Sequence, residues 1–345
     1  MSSTLRLHPL EALKKNPFVL APMAGITDHA FRTFMKRLGA GVVVTELVSA
    51  TGLEYKSQKT LDLIAYDEEQ RPYGIQLFGE DPEILAKSAQ FAEQAGADFI
   101  DLNFGCQVPK VVKKGAGSAM LKDLPALTKV LSSVKGAVKI PVTIKIRTGW
   151  DANSRNAHEV CHVAYNEGIT WVAIHGRTRA QGYSGEADWS YIADVKSKAQ
   201  LPVLGNGDIH TPEKAVARLK ESGCDGVLIG RGCLKNPFIF MDALALWTGE
   251  SLKKSNSERK HTTIIQNLYD CYSTRTSEHL VGLQIKKFAA WFATGYPGAS
   301  QFRKNIFQTK TNGEVMQYTL DFFNSIESGV QEDTSQEPFL MGGHG

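Results

Sequence analysis

A lone thiol in a basic loop, a lysine inside an apolar run, and two glycine-rich turns, one of them carrying an arginine, are the groups in this sequence best suited to chemistry. Cys106 ends Asn103-Phe104-Gly105-Cys106 and precedes a polar stretch, Gln107 to Gly117, that carries Lys110, Lys113 and Lys114. A thiol there is a nucleophile if nearby ammonium groups lower its pKa, or a general acid if it stays protonated. Lys145 interrupts Val142-Thr143-Ile144-Lys145-Ile146, where an ammonium needs a partner or a cavity, because buried lysine is costly. Gln76 lies in Ile75-Gln76-Leu77, and His175 and Arg177 close a further apolar run. Asn206-Gly207-Asp208 and Gly230-Arg231-Gly232 follow two more. Turns of this kind either make tight connections or let the backbone approach a phosphate, with Arg231 as a forked donor.

The other four cysteines, Cys161, Cys224, Cys233 and Cys271, read as small buried hydrophobes. An odd total of five without CxxC spacing argues against a disulfide framework and a structural zinc, so no metal is expected. With 345 residues, 42% hydrophobic and 22% charged, the chain has the composition of an ordered globular protein. No apolar run approaches the ~18 residues of a membrane span, and Met1 to Lys15 lacks the apolar core of a secretory leader. No membrane association, a cytoplasmic location and a monomer are the expectations. A net charge of +3 neither demands nor excludes a nucleic-acid partner.

These groups sit at the ends of evenly spaced, near-continuous apolar runs: Phe18–Pro22, Val42–Glu46, Tyr73–Phe78, Asp98–Asn103, Pro141–Arg147, Trp171–His175, Pro202–Asn206 and Gly226–Gly230. Strands of that composition are covered on both faces, as in a parallel sheet. Helical patterns intervene, among them Asp81–Gln94, opened by Asp81-Pro82-Glu83 and followed by Gly96, and Thr211–Glu221, followed by Gly223. Eight strands, each with a helix-sized partner, predict a (β/α)8 TIM barrel over residues 1–250, with its active site at the C-terminal ends of the strands. Thr248–Ser257 reads as a polar linker. Residues 258–329 then lose strand signals and show helical periodicity over Arg259–Thr276, Leu283–Ala293 and Val315–Ser325, a C-terminal helical domain. Residues 330–345 read as a flexible tail. From Ser251 to Val330 there are ten Lys/Arg against six Asp/Glu; this excess is either a solvated helix surface or a phosphate-facing one.

Seven motifs occur in order: Ala21-Pro22-Met23-Ala24-Gly25-Ile26-Thr27-Asp28, Asp101-Leu102-Asn103-Phe104-Gly105-Cys106, Gly117-Ser118-Ala119, Lys145-Ile146-Arg147-Thr148-Gly149-Trp150, Ile174-His175-Gly176-Arg177-Thr178-Arg179, Gly205-Asn206-Gly207-Asp208-Ile209 and Ile229-Gly230-Arg231. Together they make the sequence similar to the tRNA-dihydrouridine synthase family, most like its bacterial B type, strongly over Asn16 to Phe240 and more weakly through Gly282–Phe307, where Gln301-Phe302-Arg303 resembles the family's helical domain. Where that family has proline after the cysteine, this chain has Gln107.

The resemblance implies an FMN- and NADPH-dependent reduction of the uracil C5=C6 bond in tRNA, with hydride from flavin N5 to C6 and a proton from Cys106 to C5. It implies Pro22, Met23 and Ala24 along the flavin ring, Gln76, Lys145 and His175 at its edge, and Asn206, Gly207, Asp208, Gly230 and Arg231 at the phosphate. Asn103 and Arg177 become candidates for contact with the uracil. Lys286, Lys287, Arg303 and Lys304, with Lys110, Lys113 and Lys114, become candidates for phosphates of the tRNA. The alternative is an FMN barrel oxidoreductase acting on a free small molecule, like dihydroorotate dehydrogenase; the helical domain and the basic loop favour the RNA substrate.

Overall fold

The computed structural model describes residues 6–55, 57–251 and 260–326. Its strands are β1 (Phe18–Leu20), β2 (Val43–Val44), β3 (Val48–Ser49), β4 (Tyr73–Phe78), β5 (Phe99–Phe104), β6 (Val142–Arg147), β7 (Val172–His175), β8 (Val203–Asn206) and β9 (Gly226–Ile229). The sheet order is β1-β9-β8-β7-β6-β5-β4-β2, with β3 also paired to β4, and every pairing is parallel. A parallel bridge between Val19 and Val42 closes the ring. All eight expected strands are present. The second is broken, because Thr45, Glu46 and Leu47 leave the ladder between β2 and β3.

Burial on two faces explains the apolar runs. Val19, Val42, Val44, Phe99, Trp171, Leu204 and Leu228 form one buried cluster inside the cylinder. Alternate residues, among them Phe18, Leu20, Ile75, Ile100, Val142, Ile144, Ile146 and Val203, belong to a second, larger cluster shared with the surrounding helices. Period-two alternation therefore sends Thr143, Lys145 and Arg147 inward wherever Val142, Ile144 and Ile146 face helices. Above the apolar plug the inward positions become polar, which is what gives the barrel a reactive end.

Capping residues set the helix registers. Asp81 accepts from the N–H groups of Glu83 and Ile84 at the start of Pro82–Gln94, and Thr211 accepts from Lys214 at the start of Pro212–Ser222. Gly223 ends the latter with φ +65°, a left-handed position that glycine adopts without cost. After the helix Ile239–Thr248, residues 252–257 of the predicted linker lie outside the described residues, as do residues 330–345 of the predicted tail.

The helical unit comprises His261–Ser273, Glu278–Phe292, Ala299–Ile306 and Asn312–Ile326. Its third helix was hidden from the sequence reading because it is short and flanked by Gly298 and Gln308-Thr309. The unit is docked on the barrel helix His29–Arg37: Phe31 stacks on Phe288 with ring centroids 4.7 Å apart, and Ile264, Phe288 and Phe292 share one buried cluster with Phe31 and Phe34. Phe31→Ala should destabilise the protein by about 3–5 kcal/mol, the usual cost of deleting a buried ring. Equilibrium urea unfolding measures it.

Candidate active site

The cavity at the C-terminal ends of the strands is lined by Pro22, Met23 and Ala24 after β1, Gln76 of β4, Asn103 of β5 with Cys106 and Gln107 after it, Lys145 and Arg147 of β6, His175 of β7, Asn206, Gly207 and Asp208 at the end of β8, and Gly230 and Arg231 after β9. The register explains the gathering. Gln76 pairs with Asp101 and Asp101 with Thr143, while Asn103 pairs with Lys145, Arg147 with His175 and His175 with Asn206, so the inward positions of neighbouring strands lie in layers.

Two of these layers are joined by a hydrogen-bond chain that ends at the thiol loop. Asp101 accepts from Thr143 Oγ1 at 2.6 Å and from Gln76 Nε2 at 2.6 Å. Gln76 Oε1 accepts from Asn103 Nδ2 at 2.9 Å, and Asn103 Oδ1 accepts from the backbone N–H groups of Gly105 and Cys106 at 3.1 and 2.8 Å. On the other side of the loop the Cys106 carbonyl accepts from Ser118 N and Ser118 Oγ at 3.0 and 2.8 Å. Both backbone groups of Cys106 are thus held without the family's proline. Burial pushes the Cys106 thiol up against the opposing pull of the Val108 N–H and Arg147. A thiol raised above its ordinary value carries its proton at neutral pH, the form a general acid needs.

The cavity is otherwise cationic. Among the described residues the Lys145 ammonium makes no hydrogen bond or ion pair, and burial lowers its pKa to about 8, helped by Arg147 and opposed by Asp101. Burial, together with Lys145, Arg147, Arg177 and Arg231, drives the His175 pKa well down, so its ring is neutral. The Arg231 guanidinium makes no hydrogen bond among the described residues and lies 4.7 Å from the centroid of the Tyr183 ring.

Not every expected residue reaches the cavity. Gln76 lines it, but with 2% of its surface exposed and both ends of its amide in the chain above, it orients Asn103 rather than presenting a free edge. Arg177, expected at the uracil, is 3% exposed and lies behind the wall; its two terminal nitrogens donate to the two oxygens of Asp208, each at 2.9 Å. The Asp208 carboxylate also accepts from Ala187 N–H at 2.7 Å, so its side chain is taken up by protein and any part it has in binding an anion is through its backbone, held at φ +52°. Burial alone would raise the Asp208 pKa, but Arg177 and the Ala187 N–H outweigh it and hold the carboxyl below its ordinary value. Gly207 is required by packing, since a Cβ there would strike Ala187 Cβ.

In the helical unit, Lys286, expected to face phosphates, is 9% exposed and donates to the Thr309 carbonyl at 2.5 Å, and Lys287 donates to the Gly25 carbonyl at 3.0 Å. Arg303 and Lys304 are exposed, with Arg303 Nη1 3.3 Å from Thr294 Oγ1. Lys110, Lys113 and Lys114 are exposed, and their side chains make no hydrogen bond or ion pair among the described residues.

The sequence placed Arg147 beside Lys145 at the strand end and held Asp101 and Thr143 within its motifs and apolar runs, but gave none of them, nor Tyr183, a role. Arg147 donates through Nε to the Gly105 carbonyl at 2.9 Å and through Nη1 to the carbonyls of Thr178 and Gly182 at 2.9 and 2.7 Å, tying the thiol loop to the loop after β7. Its signal was period two, two residues beyond Lys145. Tyr183, 46% exposed at the mouth, carried no local signal. Among the described residues no group of three His, Cys, Asp or Glu is placed to hold a metal ion, and no helix is long and apolar enough to cross a membrane.

Comparison with known proteins places this geometry. A profile of the family described as "Dihydrouridine synthase (Dus)" matches residues 19–327. The chain is 41% identical over 303 residues to "tRNA-dihydrouridine synthase B" of Pseudomonas aeruginosa, covering 87% of this chain and 90% of that one. It is 37% identical over 314 residues to the protein of that name in Xanthomonas axonopodis pv. citri, covering 90% and 94%. Among solved structures, histamine dehydrogenase from Rhizobium sp. 4-9 is similar with a TM-score of 0.50 at 15% identity, covering 74% of this chain and 49% of that one. The chain spans about half the length of that structure, and the likeness is one of fold.

Arg177→Met should cost about 3–5 kcal/mol, the loss expected when one partner of a buried pair is removed. The Asp208 pKa is depressed in the folded state, so the pair stabilises above the ordinary carboxylate pKa and the stability gap narrows as pH falls below about 4. Urea unfolding of both proteins across pH measures this.

Proposed function

The chain belongs to the dihydrouridine synthase family, flavin-dependent oxidoreductases acting on uridines in tRNA, and we propose that the cavity above the barrel is where that reduction takes place, with Cys106 as the proton donor. The observation that carries the proposal is the meeting of a protonated thiol, Cys106, and an ammonium without a partner among the described residues, Lys145, in the wall of one cavity.

The residues present suit FMN. An anionic group fits a site whose Lys145 ammonium and Arg231 guanidinium have no hydrogen-bond partner among the described residues and which sets a neutral His175 among cations. Pro22, Met23 and Ala24 would lie along the flavin ring, Lys145 and His175 at its polar edge, and Asn206, Gly207, Gly230, Arg231 and the backbone of Asp208 around its phosphate. When bound, FMN would supply the hydride chemistry that reduction of the uracil C5=C6 bond at C6 needs, with NADPH as the source of the electrons.

The chain's own groups do the rest. Cys106 gives its proton to C5, and burial keeps the thiol protonated at neutral pH so that the proton is there to give. Asn103 keeps the thiol loop in place through Oδ1 and has one amide N–H left for a uracil oxygen. A uridine reaches this depth only when extruded from its stack, at a cost of a few kcal/mol that contacts elsewhere on the tRNA must offset. Residues 1–250 would form the catalytic domain and residues 258–329 the tRNA-binding one. Exposed Lys110, Lys113 and Lys114 beside Cys106, and Arg303 and Lys304 on the helical unit, supply those contacts.

The decisive experiment incubates the protein with FMN, NADPH and unmodified tRNA and measures dihydrouridine by nucleoside analysis. Formation in tRNA is expected; turnover of free pyrimidines with tRNA untouched would overturn the proposal. Cys106→Ala should keep FMN and lose roughly 10²–10⁴-fold in rate; full activity would refute the acid role. FMN affinity should also fall as pH rises through about 8, where Lys145 of the free protein loses its charge. Fluorescence titration should show that fall in the wild type and not in Lys145→Met.

A further inference from the structure

The loop after β1 lines the cavity at Pro22, Met23 and Ala24, yet two of its anchors come from the helical unit. Lys287, on Glu278–Phe292, donates through Nζ to the Gly25 carbonyl at 3.0 Å, with its ammonium over the rings of Phe288 and Trp291 at 5.1 and 5.4 Å. The Gly25 N–H is taken by the Glu46 carboxylate, in the break between β2 and β3. Charged side chains from barrel and helical unit therefore grip one glycine, whose φ of +72° leaves its two peptide groups facing different partners.

Three residues on, Tyr272 OH donates to both oxygens of Asp28 at 3.0 and 2.9 Å, and Asp28 accepts from Phe31 N–H at 2.9 Å to cap His29–Arg37. Between these anchors the loop is one closed turn. Met23 N–H donates to Thr27 Oγ1 at 3.0 Å, and the Met23 carbonyl accepts from Ile26 N and Thr27 N at 3.1 and 3.0 Å. A displacement at Gly25 or Asp28 is thus carried to Met23 and Ala24. The charges are matched locally: burial lowers Lys287 while Asp28 and Glu46 oppose it, and burial raises Asp28 and Glu46 while Lys287 opposes it.

We propose that Lys287 and Tyr272 are positioning residues for the cavity wall, so that the helical unit shapes the flavin site before any RNA is bound. This rests on the reading of the cavity as a flavin site. It also reassigns Lys287, whose ammonium is engaged with a backbone carbonyl rather than free for a phosphate.

The test uses the full chain and three variants, Lys287→Met, Lys287→Arg and Tyr272→Phe. FMN affinity and the visible spectrum of bound flavin are measured without tRNA, and tRNA affinity is measured across salt concentrations. A hydrogen bond to a charged group is worth about a factor of ten. Lys287→Met and Tyr272→Phe should each weaken FMN binding by about that factor and shift the flavin band. Lys287→Arg, which keeps a donor, should stay within about twofold of wild type, and none should change the salt slope. If Lys287→Met fails to fold, Tyr272→Phe, which keeps the buried ring, decides with the same readouts. Wild-type affinity and spectrum in Lys287→Met, with the salt slope reduced by about one, would overturn the positioning role and leave the flavin reading standing. A wild-type protein that takes up no flavin would overturn both.

Discussion

One buried carboxylate sets the direction of the hydrogen bonds that the reactive end of the barrel depends on. Asp101 receives donors at both oxygens, from Thr143 and from Gln76. That commits the Gln76 amide nitrogen to one side and leaves its oxygen to accept from Asn103; the Asn103 oxygen is then the atom that faces the N–H groups of Gly105 and Cys106. An amide alone could be turned either way with little change in shape. Fixing one end with a group that only accepts removes that freedom from every later link. The thiol loop is thus set from Asp101, lower on the strand that leads into it, by way of Gln76 on the neighbouring strand β4.

The adjacent layer holds a cation without a partner among the described residues. Lys145 is register-paired with Asn103, no carboxylate of the described residues reaches its ammonium, and Arg147, two residues on along β6, adds like charge. A protein seldom buries such a group without a ligand to complete it. The cationic wall also keeps His175 neutral, so an anion can be held without a second proton entering the site. At Cys106 burial outweighs Arg147 and the Val108 N–H, so the thiol holds its proton at neutral pH while the same cation moderates how strongly.

The helical unit is part of this arrangement rather than an appendage to it. Its aromatic face continues the buried cluster around His29–Arg37, and Tyr272 and Lys287 reach past that cluster to the loop after β1. The helical unit and the cavity wall then share a mechanical link, and the break between β2 and β3 frees Glu46 to hold the same loop from within the barrel.

Periodicity and composition along the chain determined the barrel: eight apolar runs of strand length, each with a capped helix after it, leave few ways to bury both faces, and residues such as Cys106, Lys145, His175 and Arg231 were legible because a polar group at the end of an apolar strand has few other reasons to be there. The resemblance supplied their expected roles. Tertiary structure alone decided which inward residues meet. Asp101 and Thr143 look like ordinary polar interruptions until the register sets them beside Gln76. Arg177 looks like a ligand-binding group until Asp208 is seen to take both ends of its fork. Lys286 and Lys287 look like surface charge until packing turns one to Thr309 and the other to Gly25. Local pattern fixes which face of an element a side chain leaves from, because that depends on the period of the backbone; what it meets depends on another part of the chain, and no local period encodes that.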